Sequence, residues 1–233
     1  MSREFLTLEE LIQRTGRDRR TIEKQLQRGV IPGRRINGEW RFNDQEITRW
    51  LEQDLRTLDH TQLEQLEISQ KSEEISLQTP LQALLKPETC EIPLDAGTKP
   101  AVLHTLVELA GKTWQLWNPA AVLAAVRERE NVMSTAFENG VAIPHPRNPL
   151  PEALGESLIA FGRTLSPIPF GGPNRSKTDL FFLVLARDSR THLQILARLG
   201  RHIQNETLLE LLRNATSGNE AWHLLTQADA QLG

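Results

Sequence analysis

The chain has a single cysteine, Cys90, and no apolar stretch that approaches the length needed to cross a bilayer. One cysteine excludes an internal disulfide and favours a reducing compartment. The N-terminus carries Arg3 and Glu4 without a long apolar run after them, which is unlike a secretory signal. These absences predict a cytoplasmic protein that does not insert into a membrane.

The sequence also lacks the patterns of common nucleotide and metal sites. Residues 171–173, Gly-Gly-Pro, are without the Gly-Lys-Ser/Thr ending of a P-loop and predict a bend in the chain. His145, His192 and His202 could in principle share a zinc ion, but no carboxylate or cysteine is spaced to support them. We therefore predict neither a metal ion nor a cofactor.

Charge is distributed unevenly along the 233 residues, whose formal net charge is −3. Residues 1–52 are slightly basic, residues 53–92 hold three Lys or Arg against eight Asp or Glu, and the remainder is close to neutral. Such asymmetry indicates separate units. We predict a small head at residues 1–52, a polar and acidic linker at 53–89, and a body at 90–233.

The pattern of the head is helix, tight turn, helix, hairpin and helix. Thr7 and Glu10 have the spacing of a capping box, and Gly16 ends the first helix. The second helix covers residues 19–27. Asn37–Gly38 between extended apolar residues is a strong hairpin signal, and a third helix follows. This order predicts a winged helix-turn-helix.

The segments L-T-L-x-E-L, R-T-I and G-x-I-P-G-R-R-I-N-G-E-W-R-F resemble the small MerR-like or excisionase-type DNA-binding domain. The resemblance implies that the second helix enters the major groove and that the wing contacts phosphates. The residues so implied are Arg19, Arg20, Thr21 and Lys24 on the helix, and Arg34, Arg35, Asn37 and Arg41 on the wing. The alternative is solvated surface charge on a small interaction domain. Because few phosphate contacts give weak, salt-sensitive binding, we expect a homodimer that reads two half-sites.

The linker is without glycine and carries leucines at 55, 58, 63 and 66 that approximate a helical stripe. Residues 69–74 are polar. Two interpretations stay open at this point, a short self-associating helix or a tether, because the stripe is too short for a coiled coil.

Strands and helices alternate in the body, which predicts a mixed-sheet α/β sandwich. The nearly continuous apolar run at residues 179–186 is typical of a central buried strand. Further strands are expected at 91–94, 157–163 and 168–170, and helices at 98–111, 118–129, 192–203, 206–214 and 219–228.

Residues 129–147 are the most informative stretch of the body. Pro144 and Pro146 bracket His145 and restrict its backbone on both sides. Ser134 and Thr135 offer hydrogen-bond donors in the same stretch, and arginines at 129 and 147 offer positive charge. This combination suits a site for an anionic group such as a phosphoryl group. The alternative is a histidine whose ring is hydrogen-bonded to backbone at a strand end.

The motifs Arg129–Glu130, Ser134–Thr135 and Gly140–His145, and a later H-L-Q-I-L-A-R-L, resemble the phosphorylation-site signature of fructose/mannitol/nitrogen-type IIA domains. These IIA proteins belong to the bacterial phosphoenolpyruvate:sugar phosphotransferase system, and the resemblance extends over about Cys90–Asp229. It implies the fold of that domain and a phosphoryl group transferred to His145 from HPr or its nitrogen-branch counterpart.

The same resemblance implies roles for the residues around that histidine. Arg129 and His192 would hold the phosphoryl oxygens, and Ser134 and Thr135 would be lesser donors. A phosphoramidate needs neither metal nor nucleotide. The family often has glycine after the histidine, whereas this chain has Pro146, which lacks a backbone N–H.

Three functions are open from the sequence. The first is a DNA-binding transcriptional regulator whose state follows phosphorylation of His145. The second is a IIA component that passes the phosphoryl group to a separate IIB protein and sugar permease. The third, which Pro146 keeps open, is a phosphorylation-inert module that regulates a kinase or channel by contact.

Overall fold

A computed structural model describes residues 5–70 and 80–232; the other positions, including 71–74 of the predicted polar segment, lie outside the described residues. The chain divides into two compact units. Of the described residues, the first unit contains 5–70 and Leu193–Gln204, and the second contains 80–192 and 205–232. None of the helices in the described ranges combines the length and the apolar character that a bilayer span requires.

The regular elements that concern the site and the two units are named here in chain order: β1 (Phe5–Leu6), α1 (Leu8–Thr15), α2 (Arg19–Gln27), β2 (Arg34–Ile36), β3 (Glu39–Asn43), α3 (Asp44–Asp54), α4 (His60–Ser69), α5 (Pro80–Leu84), β4 (Leu85–Glu91), α6 (Lys99–Gly111), α7 (Pro119–Val132), β5 (Val141–Ala142), β6 (Leu158–Pro169), β7 (Lys177–Leu185), α8 (Ser189–Ile203), α9 (Glu206–Asn214) and α10 (Gly218–Gln231).

The predicted winged helix-turn-helix is confirmed in the first unit. Thr7 and Glu10 form the capping box of α1, and Gly16 ends that helix in the left-handed region at φ 66°. Strands β1, β3 and β2 form an antiparallel sheet in that order. Asn37 and Gly38 both have positive φ, at 52° and 84°, as a tight hairpin turn requires.

The core of the first unit draws on both ends of its sequence. Leucines 11, 51, 63 and 66 are buried in one cluster with Ile22, Phe42 and Ile47. Leu193 and Ala197 of α8 belong to the same cluster. The leucine stripe predicted for the linker therefore lies partly on α4, where Leu63 and Leu66 are buried within their own unit.

The predicted mixed-sheet α/β sandwich is confirmed in the second unit. The strand order is β4-β6-β7-β5; β6 and β7 pair antiparallel, whereas β4 pairs parallel to β6 and β5 parallel to β7. Residues 180–185 of β7 are all buried, as the apolar run predicted. Alternate side chains point to opposite faces, and Phe181, Leu183 and Leu185 join the core that α6 and α7 cover.

Two strands differ from the sequence-based expectation. The predicted strands at 157–163 and 168–170 are one strand, β6, with a register shift between Arg163 and Ile168. The strand expected at 91–94 runs instead from Leu85 to Glu91 at the sheet edge. Its Pro87 is compatible with an edge strand, which can lose one donor, and Thr89 Oγ1 donates to the carbonyl oxygen of Ile159 at 2.9 Å.

Candidate functional site

His145 lies three residues beyond the end of β5 and is only 5% exposed. Its Nδ1 atom is 2.7 Å from the carbonyl oxygen of Ile143. A carbonyl oxygen can only accept a hydrogen bond, so Nδ1 carries the proton in the neutral ring. The lone pair is then on Nε2, which makes Nε2 the nucleophilic nitrogen.

The structure brings His192 to His145. Their ring centroids are 5.0 Å apart with an interplanar angle of 62°, and both side chains are buried. His192 lies in the first turn of α8, where its backbone N–H donates to the carbonyl oxygen of Asp188 at 3.0 Å. The predicted proximity of the two histidines, which are 47 positions apart in sequence, is therefore present in the second unit.

Asp188 holds the start of α8. Its Oδ1 accepts from the backbone N–H groups of Arg190 at 2.8 Å and Thr191 at 2.9 Å, and its Oδ2 accepts from the Thr191 hydroxyl at 2.6 Å. The side chain thus satisfies two of the amide donors that a helix start leaves without intrahelical partners. Sequence reasoning did not name Asp188, although aspartate immediately before a helix is an N-cap signal that would have identified it.

Arg129 lies in the last turn of α7 and is half-buried. Its Nη1 atom donates to the carbonyl oxygen of Met133 at 3.0 Å. The guanidinium is therefore hydrogen-bonded to the segment that leads from α7 to Ser134. This is the stretch in which the sequence predicted that Arg129 would supply positive charge.

Ser134 and Thr135 were predicted to donate to a phosphoryl group, but their hydroxyl protons are used inside the protein. Ser134 Oγ donates to the carbonyl oxygen of Phe170 at 3.0 Å. Thr135 Oγ1 donates to Oε2 of Glu130 at 2.6 Å, and the Thr135 N–H also donates to that carboxylate, at 3.0 and 3.1 Å from its two oxygens. Both side chains fix the loop that leads into β5.

Glu130 is the centre of this arrangement and is 2% exposed. Lys99 Nζ, from the first residue of α6, lies 3.0 Å from Glu130 Oε1 and 5.1 Å from the ring centroid of Phe170. Sequence reasoning quoted Glu130 only as part of a motif, and Lys99 only as a helix start. No sequence pattern links a lysine to a glutamate 31 positions later, so the pair was not predicted.

The four predicted contact residues of α2 are exposed on the first unit: Arg19, Arg20, Thr21 and Lys24. Two of them have partners within the unit. Arg19 forms ion pairs with Glu9 and Glu23. Thr21 donates to Asp18 Oδ2 through its hydroxyl, at 2.6 Å, and to Oδ1 through its backbone N–H, at 2.9 Å. These two bonds lower the pKa of the Asp18 carboxyl.

The wing carries the other four residues, of which Arg34, Arg35 and Asn37 are exposed and Arg41 is partly exposed. Arg34 lies 3.7 Å from a carboxylate oxygen of Glu46, and Arg41 donates to Glu39 at 2.6 Å. The Arg35 guanidinium lies 5.1 Å from the ring centroid of Trp40. The acidic partners reduce the positive potential that this face offers to a polyanion.

The chain matches two models of known protein families. The phosphoenolpyruvate-dependent sugar phosphotransferase system, EIIA 2 model matches residues 83–228, and a helix-turn-helix domain model matches residues 5–54. The nitrogen regulatory protein of Escherichia coli (strain K12) is 30% identical over 151 residues, which cover 64% of this chain and 91% of that protein.

More distant relatives are consistent with this match. The PTS system fructose-specific EIIABC component of Bacillus subtilis (strain 168) is 26% identical over 148 residues, which cover 63% of this chain and 23% of that protein. The crystal structure of nitrogen regulatory protein IIA-Ntr from Neisseria meningitidis aligns with a TM-score of 0.55 and 26% identity, over 61% of this chain and 97% of that one.

Proposed function

Because the chain belongs to the EIIA 2 family of the phosphoenolpyruvate-dependent sugar phosphotransferase system, we propose that it is a phosphohistidine carrier whose His145 receives a phosphoryl group. The donor we propose is HPr or its nitrogen-branch counterpart. One observation carries the proposal: the contact between His145 Nδ1 and the Ile143 carbonyl oxygen directs the nucleophilic lone pair to Nε2.

In the proposed reaction, Nε2 of His145 attacks the phosphorus atom of the donor phosphohistidine. The new P–N bond forms as the donor's P–N bond breaks, and the bonding electrons return to the donor imidazole. His145 keeps its Nδ1 proton, so the reaction needs no base to remove a proton from this ring. Arg129 and His192 supply the hydrogen-bond donors for the charged phosphoryl oxygens.

We further propose that the head binds DNA and that the protein is a transcriptional regulator acting as a homodimer. The exposed cations of α2 and of the wing support this, because they lie on the two elements that contact DNA in winged helix-turn-helix domains. The acidic partners of Arg19, Arg34 and Arg41 reduce the available charge. Binding by one copy is then weak, and a dimer supplies the second half-site.

Pro146 favours a second candidate function, a module that regulates a kinase or channel without being phosphorylated. Proline cannot offer a backbone N–H to the phosphoryl oxygens. A chain that retained the fold but did not accept the phosphoryl group would act by contact alone.

The test is phosphorylation of the purified chain by phosphoenolpyruvate, enzyme I and HPr, or the nitrogen-branch counterparts. Acid-labile phosphate is followed on the wild type, on His145→Ala, and on His104→Ala as a control at an exposed histidine of the same unit. Label on the wild type and on the control, but not on His145→Ala, supports the carrier. If neither donor labels the wild type, the phosphohistidine carrier is rejected and the contact module is supported. Transfer of label to a purified IIB protein would show that the chain is a working transport component.

A further inference from the structure

We propose that Lys99 and Glu130 are positioning residues for His145, and that they set the tautomer of its imidazole through the loop that precedes β5. The inference rests on the proposed phosphorylation of His145 for its functional meaning. Its physical basis is a chain of hydrogen bonds that lies within the second unit and ends on the ring of His145.

The series of hydrogen bonds begins at an ion pair between the partly exposed Lys99 and the buried Glu130. Lys99 Nζ contacts Glu130 Oε1 at 3.0 Å, and a second contact at 3.4 Å joins Nζ to the Glu130 carbonyl oxygen. The lysine therefore holds both the side chain and the backbone of one residue near the end of α7. A buried carboxylate requires such compensation, because burial without a charged partner or hydrogen bonds is costly.

The second step joins Glu130 to the loop. Its two carboxylate oxygens accept the Thr135 N–H, and Oε2 also accepts the Thr135 hydroxyl. Hydrogen bonds to an ionised carboxylate are stronger than those between neutral groups. Thr135 is thus held at both its backbone and its side chain, which fixes the direction of its carbonyl group.

The third step carries this direction to the histidine. The Thr135 carbonyl oxygen accepts the backbone N–H of Ile143 at 3.4 Å, and the Ile143 carbonyl oxygen contacts His145 Nδ1 at 2.7 Å. The carbonyl that selects the tautomer therefore belongs to a residue whose own N–H is tied to Thr135. A shift of the Thr135 backbone moves Ile143 and weakens the bond to Nδ1.

Close packing on the other side of the loop limits its freedom to relax. Gly171 has φ 97°, and a Cβ atom at this position would lie 3.1 Å from Ser134 Cβ. Ser134 also donates to the carbonyl oxygen of Phe170, the ring of which lies beside Lys99. The loop is held from both sides, so loss of the Lys99–Glu130 contact would remove the hydrogen bonds that hold Thr135 from the α7 side, while Ser134 keeps its bond to Phe170.

The tautomer of the His145 imidazole can be measured directly by NMR spectroscopy. Two-bond ¹⁵N–¹H correlation spectra of histidine-labelled protein distinguish Nδ1–H from Nε2–H rings, and His145→Ala assigns the signal. We expect the Nδ1–H form in the wild type and a several-fold lower ratio of Nδ1–H to Nε2–H in Lys99→Met and Glu130→Gln. Lys99→Arg keeps the cation and should restore the wild-type ratio.

Two further variants make the result specific. Lys112→Met removes another lysine–glutamate contact of the same unit, 2.9 Å from Glu91, and should leave the His145 signal unchanged. Thr135→Val removes the hydroxyl donor alone and should give an intermediate ratio, which keeps the test available if Glu130→Gln does not fold. An unchanged tautomer ratio in folded Lys99→Met and Thr135→Val would overturn the proposal.

The rate of phosphoryl transfer is measured on the same samples. We expect the transfer rate to fall on the order of tenfold to a hundredfold in Lys99→Met, because misplacement of a reacting group by about 1 Å can slow a reaction by about a hundredfold. If the wild type accepts no phosphoryl group, the proposed function fails, but the tautomer ratio still decides whether Lys99 and Glu130 position His145. If the wild type is labelled and the ratio is unchanged in the variants, the positioning role fails and the function stands.

Discussion

Arg201 places its Nη1 atom 2.8 Å from Oε2 of Glu67, although 134 positions separate the two residues along the chain. Arg198 contacts the other carboxylate oxygen at 3.1 Å, and all three side chains are almost completely buried. The Glu67 carboxylate of the first unit is thus shared by two guanidinium groups from α8, and Arg201 also lies 3.7 Å from a carboxylate oxygen of Glu64. A buried ion-pair network of this kind stabilises a fold little more than well-packed apolar side chains of similar volume would. Removing only one partner is costly, because it leaves a buried charge without compensation.

Replacing Arg201 with Met should lower the free energy of unfolding by about 3 kcal/mol, because the change leaves Glu67 buried with one cation fewer. Chemical denaturation followed by circular dichroism measures the loss. Arg34→Met is the control, since that arginine is exposed and its ion pair with Glu46 is long; the control should change stability by less than about 1 kcal/mol. Equal losses in the two variants would contradict the interpretation.

The same carboxylate should give the wild type a specific pH dependence. Burial raises the pKa of Glu67 above its usual value of 4.5, while Arg198 and Arg201 oppose the shift only in part. The folded state then binds the Glu67 proton more tightly than the unfolded state does. Stability contributed by this group is therefore present in acid and is lost as pH rises from about 4.5 through the raised pKa.

Glu67→Gln removes the titrating group and should flatten that part of the stability curve. Unfolding free energies of the wild type and the variant, measured at intervals of pH above 4 in constant salt, give the difference between the two curves. A difference that stays constant over this range would show that the pKa of Glu67 is not raised.

Leu193→Ala should destabilise the helix-turn-helix unit although it lies far from it in sequence. Leu193 is completely buried in the cluster that contains Leu11 and Phe42. Truncation of a buried leucine costs about 3 kcal/mol. Amide hydrogen exchange of α1 and β3 should therefore accelerate. Leu211→Ala, at a half-exposed leucine of α9, is the control and should leave this exchange unchanged.

Asp188→Ala should slow phosphoryl transfer to His145 without abolishing it. The variant leaves the amides of Arg190 and Thr191 without their side-chain acceptor and costs about 1 kcal/mol of helix stability. The first turn of α8, which carries His192, then becomes less well fixed. Asp188→Asn keeps an acceptor oxygen and should transfer at nearly the wild-type rate. Similar rates in Asp188→Ala and the wild type would show that this cap does not matter for transfer.

The head should bind duplex DNA in a salt-dependent way that Arg20 and Lys24 control. Each phosphate contact that is lost reduces the slope of log K against log salt by about one. Arg20→Ala and Lys24→Ala should therefore each weaken binding and flatten that slope, measured by fluorescence anisotropy at several salt concentrations. Lys112→Ala, in the second unit, is the matched control for removing one exposed lysine. Identical slopes in all proteins would exclude these contacts.

The sequence predicted those features that local chemistry controls. The Asn37–Gly38 turn was predicted because few residues other than glycine and asparagine adopt positive φ easily. The buried strand β7 was predicted because its apolar run is long and uninterrupted. The approach of His192 to His145 was implied by resemblance to a family, and the structure shows it.

The features that the sequence did not predict are pairings between distant residues. Neither Lys99 with Glu130 nor Glu67 with Arg201 follows a periodic pattern, because the partners lie on different helices. The use of the Thr135 hydroxyl was also missed, since composition indicates that a donor is present but not which acceptor it meets. Such contacts depend on how the helices are placed in three dimensions, which no local signal encodes.

Helix α8 is one continuous element, yet His192 belongs to the second unit and the next twelve residues belong to the first. A head that ended at its own sequence boundary could be exchanged between proteins as an independent cassette. The head of this protein cannot be exchanged in that way, because Leu193 and Ala197 of α8 are part of its hydrophobic core. Any chimera that transfers this head to another protein must therefore also transfer the buried face of α8 that carries Leu193 and Ala197, although more than 120 positions separate that face from the end of α4.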